Sequence, residues 1–192
     1  MEKLCWYRTT LDSSQILDPT WKYPVVDVNK FELQYFFADQ IFNPSWLELM
    51  ESFGLPMLGI MLFYRPANYN TNIAHIDTNK YDHSKVYASA LNWVIGGKNS
   101  MMHWYDLPDK LPPVKMTKAT STYQSWTISE LVEINQVNID NQVTLVRVDL
   151  PHSVSVDNEP RWCFSARFKD CDIITWNSII DLMKAKNLLI DR

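Results

Sequence analysis

The sequence is short of glycine and of cysteine, and each shortage excludes a class of function. Only 4 of its 192 residues are Gly, whereas phosphate and dinucleotide cradles need backbone that approaches a ligand where no Cβ stands. No GxGxxG or Walker pattern occurs. Three Cys, at positions 5, 163 and 171, form no CxxC pair, which argues against a disulfide framework or a zinc knuckle and for a reducing compartment. There is no run of Lys and Arg, and a net charge of −4 leaves no electrostatic footprint for nucleic acid or an anionic membrane. No apolar run approaches membrane-spanning length, and the first residues carry no signal-like apolar segment, so the expected location is the cytoplasm. Internal repeats and low-complexity segments are absent too.

What is present is an aromatic-rich chain (13% Phe, Trp and Tyr) of a length that fits one domain. Residues 1–55 read as irregular and helical support: a short strand over 23–28, a helical pattern over 30–53, and a helix capped at Asn43-Pro44 that ends at Gly54. Residues 56–168 read as about eight short strands, and 169–192 as a C-terminal helix started by Thr175. Gly96-Gly97 suggests a hairpin turn into residues 101–105, and the proline- and lysine-bearing stretch 107–118 an exposed loop. The order predicts a mainly β fold with helical cover, a β-sandwich or jelly roll.

Two late strands hold polar residues where burial is expected. Over residues 144–156 the apolar positions alternate without a break, and His152 shares the face of Val146, Val148, Leu150 and Val154, so it points inward. A buried imidazole is either hydrogen-bonded core or a metal ligand. In the next strand Trp162, Phe164, Ala166 and Phe168 share one face, and Arg161, Cys163, Ser165 and Arg167 the other. A strand covered by helices can be apolar outside and polar inside if the inside lines a ligand pocket; the alternative is a solvated polar face. Upstream, His75 and Asp77 stand two apart at the end of a short strand and project together.

Two imidazoles and one carboxylate, with positions left open, make the facial triad of non-haem iron(II) oxygenases. His75-x-Asp77, His152 and Arg161, nine positions after His152, resemble the site of the Fe(II)/2-oxoglutarate-dependent dioxygenases, in detail the small bacterial and phage members related to prolyl and aspartyl/asparaginyl hydroxylases. The resemblance covers residues 56–168 and implies a double-stranded β-helix (jelly roll). It places His75, Asp77 and His152 on Fe(II) and Arg161 on the 5-carboxylate of 2-oxoglutarate, with Asn92 and Tyr64 as further donors to that co-substrate. It further implies hydroxylation of an unactivated C–H bond by molecular oxygen, on an amino acid, a small metabolite or a protein side chain. Where many members carry Ser, two residues after the arginine, this chain has Cys163.

Arg167 is the rival to Arg161, on the same face but ~20 Å along the strand. His103 is the rival to His152, and His83 reads as solvated loop. Two other functions compete: a non-catalytic jelly-roll binding or structural protein, and a cupin-type metalloenzyme, which would normally show a His-x-His pair that this sequence lacks.

Overall fold

In the computed structural model, residues 4–78, 85–116, 122–169 and 174–190 are described; His83 and Cys171 lie outside them. Twelve strands are assigned there: β1 (Trp6–Arg8), β2 (Glu32–Phe37), β3 (Met57–Arg65), β4 (Ile73–Thr78), β5 (Ser89–Gly96), β6 (Met101–Tyr105), β7 (Lys115–Met116), β8 (Thr122–Thr127), β9 (Glu133–Asn138), β10 (Thr144–Arg147), β11 (His152–Ser155) and β12 (Arg161–Phe168). Three helices accompany them, α1 (Ala38–Ile41), α2 (Pro44–Ser52) and α3 (Trp176–Ala185). The strands form two six-stranded antiparallel sheets, one in the order β1-β10-β5-β12-β3-β2, the other β7-β8-β4-β11-β6-β9. From β3 to β6 the chain changes sheet at every step, and it does so again from β9 to β12.

Two apolar layers result. Between the sheets lie Ala90, Val94, Met102, Trp104, Val137, Val146 and Cys163. On the outer side of the first sheet, Ile60, Leu62, Leu91, Trp93, Phe164, Ala166 and Phe168 pack against Trp46 and Met50 of α2 and Trp176, Ile179, Ile180 and Met183 of α3. Strand β12 is therefore enclosed on both faces, as its alternation predicts.

The helix ends follow their cap chemistry. Asn43 accepts a hydrogen bond from the Ser45 amide (3.1 Å), Pro44 opens α2, and Gly54 takes φ +75° beyond its end. Thr175 accepts from the Ser178 amide (3.3 Å) at the start of α3.

Four expectations are corrected. Residues 32–37 form strand β2, paired with β3 from Glu32↔Tyr64 to Phe37↔Gly59; their aromatic, β-favouring side chains outweigh the helical spacing. Residues 23–28 form no strand. Gly96 and Gly97 do turn the chain, with φ +78° and +58°, but β5 and β6 lie in different sheets, so the turn is a crossover and not a hairpin. The unbroken alternation over 144–156 is two strands, β10 and β11, in opposite sheets. The chain bends at residues 149–150, where Arg147 Nε holds Asp149 Oδ1 at 2.6 Å, and Pro151 has no amide to continue a ladder.

Gly59 is required for the β2–β3 pairing. A Cβ there would run into the Phe36 carbonyl and come within 2.6 Å of the Tyr35 hydroxyl oxygen, whereas one at Gly54 meets nothing. Gly59→Ala is expected to cost at or beyond the top of the ~1–3 kcal/mol range for overpacking, against about 1 kcal/mol for Gly54→Ala, whose burden is only its left-handed backbone. Urea midpoints of the two variants check this order.

Candidate metal centre and its arginine-lined cavity

The site is built where β4 and β11 lie side by side facing β12. His75 and His152 are register partners across the β4–β11 ladder, and residues on directly opposed positions project to the same face. Their rings lie 4.5 Å apart, centroid to centroid. Asp77, two residues beyond His75, projects to that face as well, and one donor atom from each of His75, Asp77 and His152 falls within 4.8 Å of the others. All three line a narrow cavity between the sheets, together with Arg65, Asn92, Arg161, Cys163, Ser165 and Arg167.

The protonation and tautomer states suit metal binding. His152 Nδ1 lies 3.0 Å from the Leu150 carbonyl oxygen; a carbonyl only accepts, so Nδ1 carries the proton and Nε2 keeps its lone pair. The nearest approach between His75 and Asp77, Nε2 to Oδ1, is 3.6 Å, too long for a hydrogen bond. Burial, then the neighbouring His152, pushes the His75 imidazole down to about 3. The 26% of its side-chain surface that stays open belongs to a residue lining the cavity. Burial lowers His152 as well. For Asp77 burial works the other way, but the Arg167 guanidinium beside it prevails and holds the carboxyl below the usual range. At neutral pH the set is two neutral imidazoles and one carboxylate, the forms that ligate a divalent ion.

Arg167 binds Asp77 through Nη2 and Oδ2, while Oδ1 faces His75. One carboxylate oxygen is thus anchored and the other is left for a ligand. Arg167 was set aside on distance along its own strand. That distance does not decide the matter, because Asp77 comes from the facing sheet and meets Arg167 at that strand's far end.

Arg161 is 2% exposed. Its Nη1 donates to Ser100 Oγ (2.8 Å) and its Nε has no partner. Gly97 packs against it; a Cβ there would lie 2.8 Å from the Arg161 Cβ. Asn92, on the inner face of β5, has a buried Oδ1 without a partner. Tyr64 is not brought to the site: it lies on the outer face of β3, packs on Trp162 at 5.0 Å and donates to the Val28 carbonyl (3.2 Å). Its neighbours Phe63 and Arg65 line the cavity instead. His103 is elsewhere too, held by Glu133 (3.1 Å) and Ser155 (2.9 Å).

Arg65 is the residue the motif reading missed. It closes a continuous apolar run, and such a run, buried on both faces, carries no alternation from which an inner face could be read. The cavity's free volume is about 40 Å³, room for a few waters. No protein-family model and no curated protein matches the chain.

The buried histidines tie stability to pH. His75 and His152 titrate lower in the folded protein than in the unfolded chain, where an imidazole titrates near 6.5. Below ~6.5 the unfolded chain therefore binds more protons, and stability drops as pH falls from there towards 3. Asp77 adds a loss of the same sign at lower pH, as the carboxylate held by Arg167 is protonated. Melting temperatures of metal-free protein are expected to be nearly level from pH 7.5 to ~6.5 and to fall from there to 4.5, and His75→Gln is expected to flatten that fall.

Proposed function

We propose that this protein is an Fe(II)- and 2-oxoglutarate-dependent oxygenase that hydroxylates an unactivated C–H bond of an amino acid, a small metabolite or a protein side chain. The observation that carries the reading is the meeting of two chemistries in one enclosed space. A neutral His/His/carboxylate set stands on one sheet, and on the strands facing it stand Arg65 and Arg161, which among the described residues have no counter-ion. The first suits a divalent iron with open positions, the second an anionic co-substrate.

The sheet order supports the fold that goes with it. Strands β3, β12, β5 and β10 are consecutive neighbours in one sheet, and β4, β11, β6 and β9 in the other. That interleaving of early and late strands suits a double-stranded β-helix, with the metal set near its axis.

His75, Asp77 and His152 would hold the iron, and Arg161 the far carboxylate of 2-oxoglutarate. When bound, the two together supply the oxidising power, turning oxygen and 2-oxoglutarate into succinate, carbon dioxide and an equivalent able to attack a C–H bond. The protein's own part is positional. Leu150 fixes the tautomer of His152, Arg167 keeps Asp77 ionised with one oxygen free, and Ser100 and Gly97 set the base of Arg161. Met102, Val148 and Val154 keep the space between the sheets apolar. Among the described residues no helix is long and apolar enough to cross a membrane, and Cys163 is a buried thiol outside any disulfide, in keeping with a reducing compartment.

A binding protein without metal would account for the Arg167–Asp77 pair as a structural bridge. It would leave unexplained two neighbouring imidazoles with no hydrogen bond to each other or to Asp77. A cupin-type centre without 2-oxoglutarate would leave the unpaired arginines without a role.

Fe(II)-dependent release of succinate from 2-oxoglutarate tests the reading, since enzymes of this chemistry turn over slowly without prime substrate. Asp77→Ala and His152→Ala are each expected to lower that release by more than ~100-fold. Arg161→Gln is expected to raise the KM for 2-oxoglutarate ~10–100-fold, as fits the loss of charge-assisted hydrogen bonds. No succinate from folded wild-type protein with Fe(II) and oxygen would overturn the proposal.

A further inference from the structure

Arg65 and Arg161 are register partners on adjacent strands β3 and β12, and both line the cavity. Opposed residues on one face begin with Cβ atoms ~5 Å apart. Both are buried, at 9% and 2% exposure. Among the described residues neither has a carboxylate within ion-pair distance, Asp77 being taken by Arg167. Arg161 donates only to Ser100 and keeps an unpartnered Nε. Among the described residues, the guanidinium of Arg65 lies near two rings, Phe31 (5.2 Å) and Tyr69 (5.6 Å), themselves stacked at 15°. Ring faces steady a guanidinium but accept little from its N–H edge.

Two like charges side by side in a buried space repel. Burial first, and Arg161 second, bring Arg65 down to about 10, so at neutral pH it remains charged. An arrangement of this kind is relieved by an anion placed between the two forks, and a carboxylate, with two oxygens and about four lone-pair sites, can accept from both at once. Cys163 lines the same space, but its thiol contacts only the Phe164 carbonyl at 3.9 Å and supplies no strong donor.

We propose that Arg65 and Arg161 form a two-guanidinium seat that grips a single carboxylate of the cavity's ligand. This deepens the function proposed above, on which that carboxylate is the distal one of 2-oxoglutarate. Arg65 is then a co-substrate-binding residue supplied by the first core strand, outside the His-x-Asp…His…Arg pattern. The stacked pair Phe31 and Tyr69 lies beside its guanidinium.

The test uses metal-free full-length protein and glutarate, which has both carboxylates of 2-oxoglutarate but no keto group and so reports on the seat and not on a metal chelate. Calorimetric titration is expected to show millimolar or tighter binding to wild type. Arg65→Met and Arg161→Met should each weaken it ~10-fold or more. The double variant should lose less than the product of the two, because both side chains act on one group. Arg65→Met keeps the packing on Phe31 and Tyr69 and removes the repulsion, so its melting temperature without ligand is expected to match or exceed wild type. A merely structural arginine would lower it. Wild-type affinity in Arg65→Met, or no glutarate binding by wild type, would overturn the seat. Should Arg65→Met fail to fold, Arg65→Lys, which keeps the charge and loses the fork, must weaken binding severalfold, and unchanged affinity overturns the proposal as well. Adding Fe(II) anaerobically separates the two proposals. If both arginines bind glutarate but Fe(II) brings no preference for 2-oxoglutarate, the oxygenase reading fails and the seat stands.

Discussion

A strand covered on both sides must satisfy two environments at once, and β12 does so by alternation. Its even-numbered residues, Trp162 to Phe168, seal the sheet against α2 and α3, while Arg161, Cys163, Ser165 and Arg167 turn to the space between the sheets. Two guanidinium groups on a buried face are costly unless anions meet them. Arg167 meets Asp77 from the other sheet; among the described residues Arg161 meets no acid. The core between the sheets is thus divided into an apolar half, where Trp104, Val137 and Val146 pack, and a charged half lined by His75, Asp77, His152 and three arginines.

The charged half is organised as one electrostatic unit. The arginines discourage protonation of His75 and His152, and Arg167 keeps Asp77 ionised. On the function proposed above, the same field would suit a cation at the triad and an anionic partner beside it. Such an arrangement sacrifices stability for a prepared site, as functional sites commonly do. The Leu150 carbonyl on His152, Ser100 and Gly97 at Arg161, and aromatic rings near Arg65 contact groups that repulsion would otherwise displace.

Much of this could be read from residue order, because a period of two assigns each side chain to a face. His75 with Asp77, His152 among valines, and Arg161 with Arg167 all line the cavity for that reason. The alternation was blind to the break between β10 and β11, since parity survives a crossing from one sheet to the other; Pro151 was the only local sign. It also gave nothing in β3, where polar and apolar do not alternate, so Tyr64 was assigned to the site while Arg65, one position on, lines it. The pairing of Arg167 with Asp77 is not legible in the sequence, because spacing along one strand does not say which residue of the facing sheet lies over it. Residues 32–37 were read as helix although their partner strand, and the absence of a Cβ at Gly59 that permits the pairing, make them a sheet edge.

The central claim is that the His/Asp/His set and the arginine-lined space bind a metal and a keto-diacid together. The most direct measurement is an anaerobic visible-light titration with Fe(II) followed by 2-oxoglutarate, watching for the weak charge-transfer band near ~500 nm that a keto-acid chelate on an open facial site gives. The account predicts a saturable band at one equivalent of iron, absent in His152→Ala and requiring higher 2-oxoglutarate in Arg161→Met. No band from folded wild-type protein would contradict it.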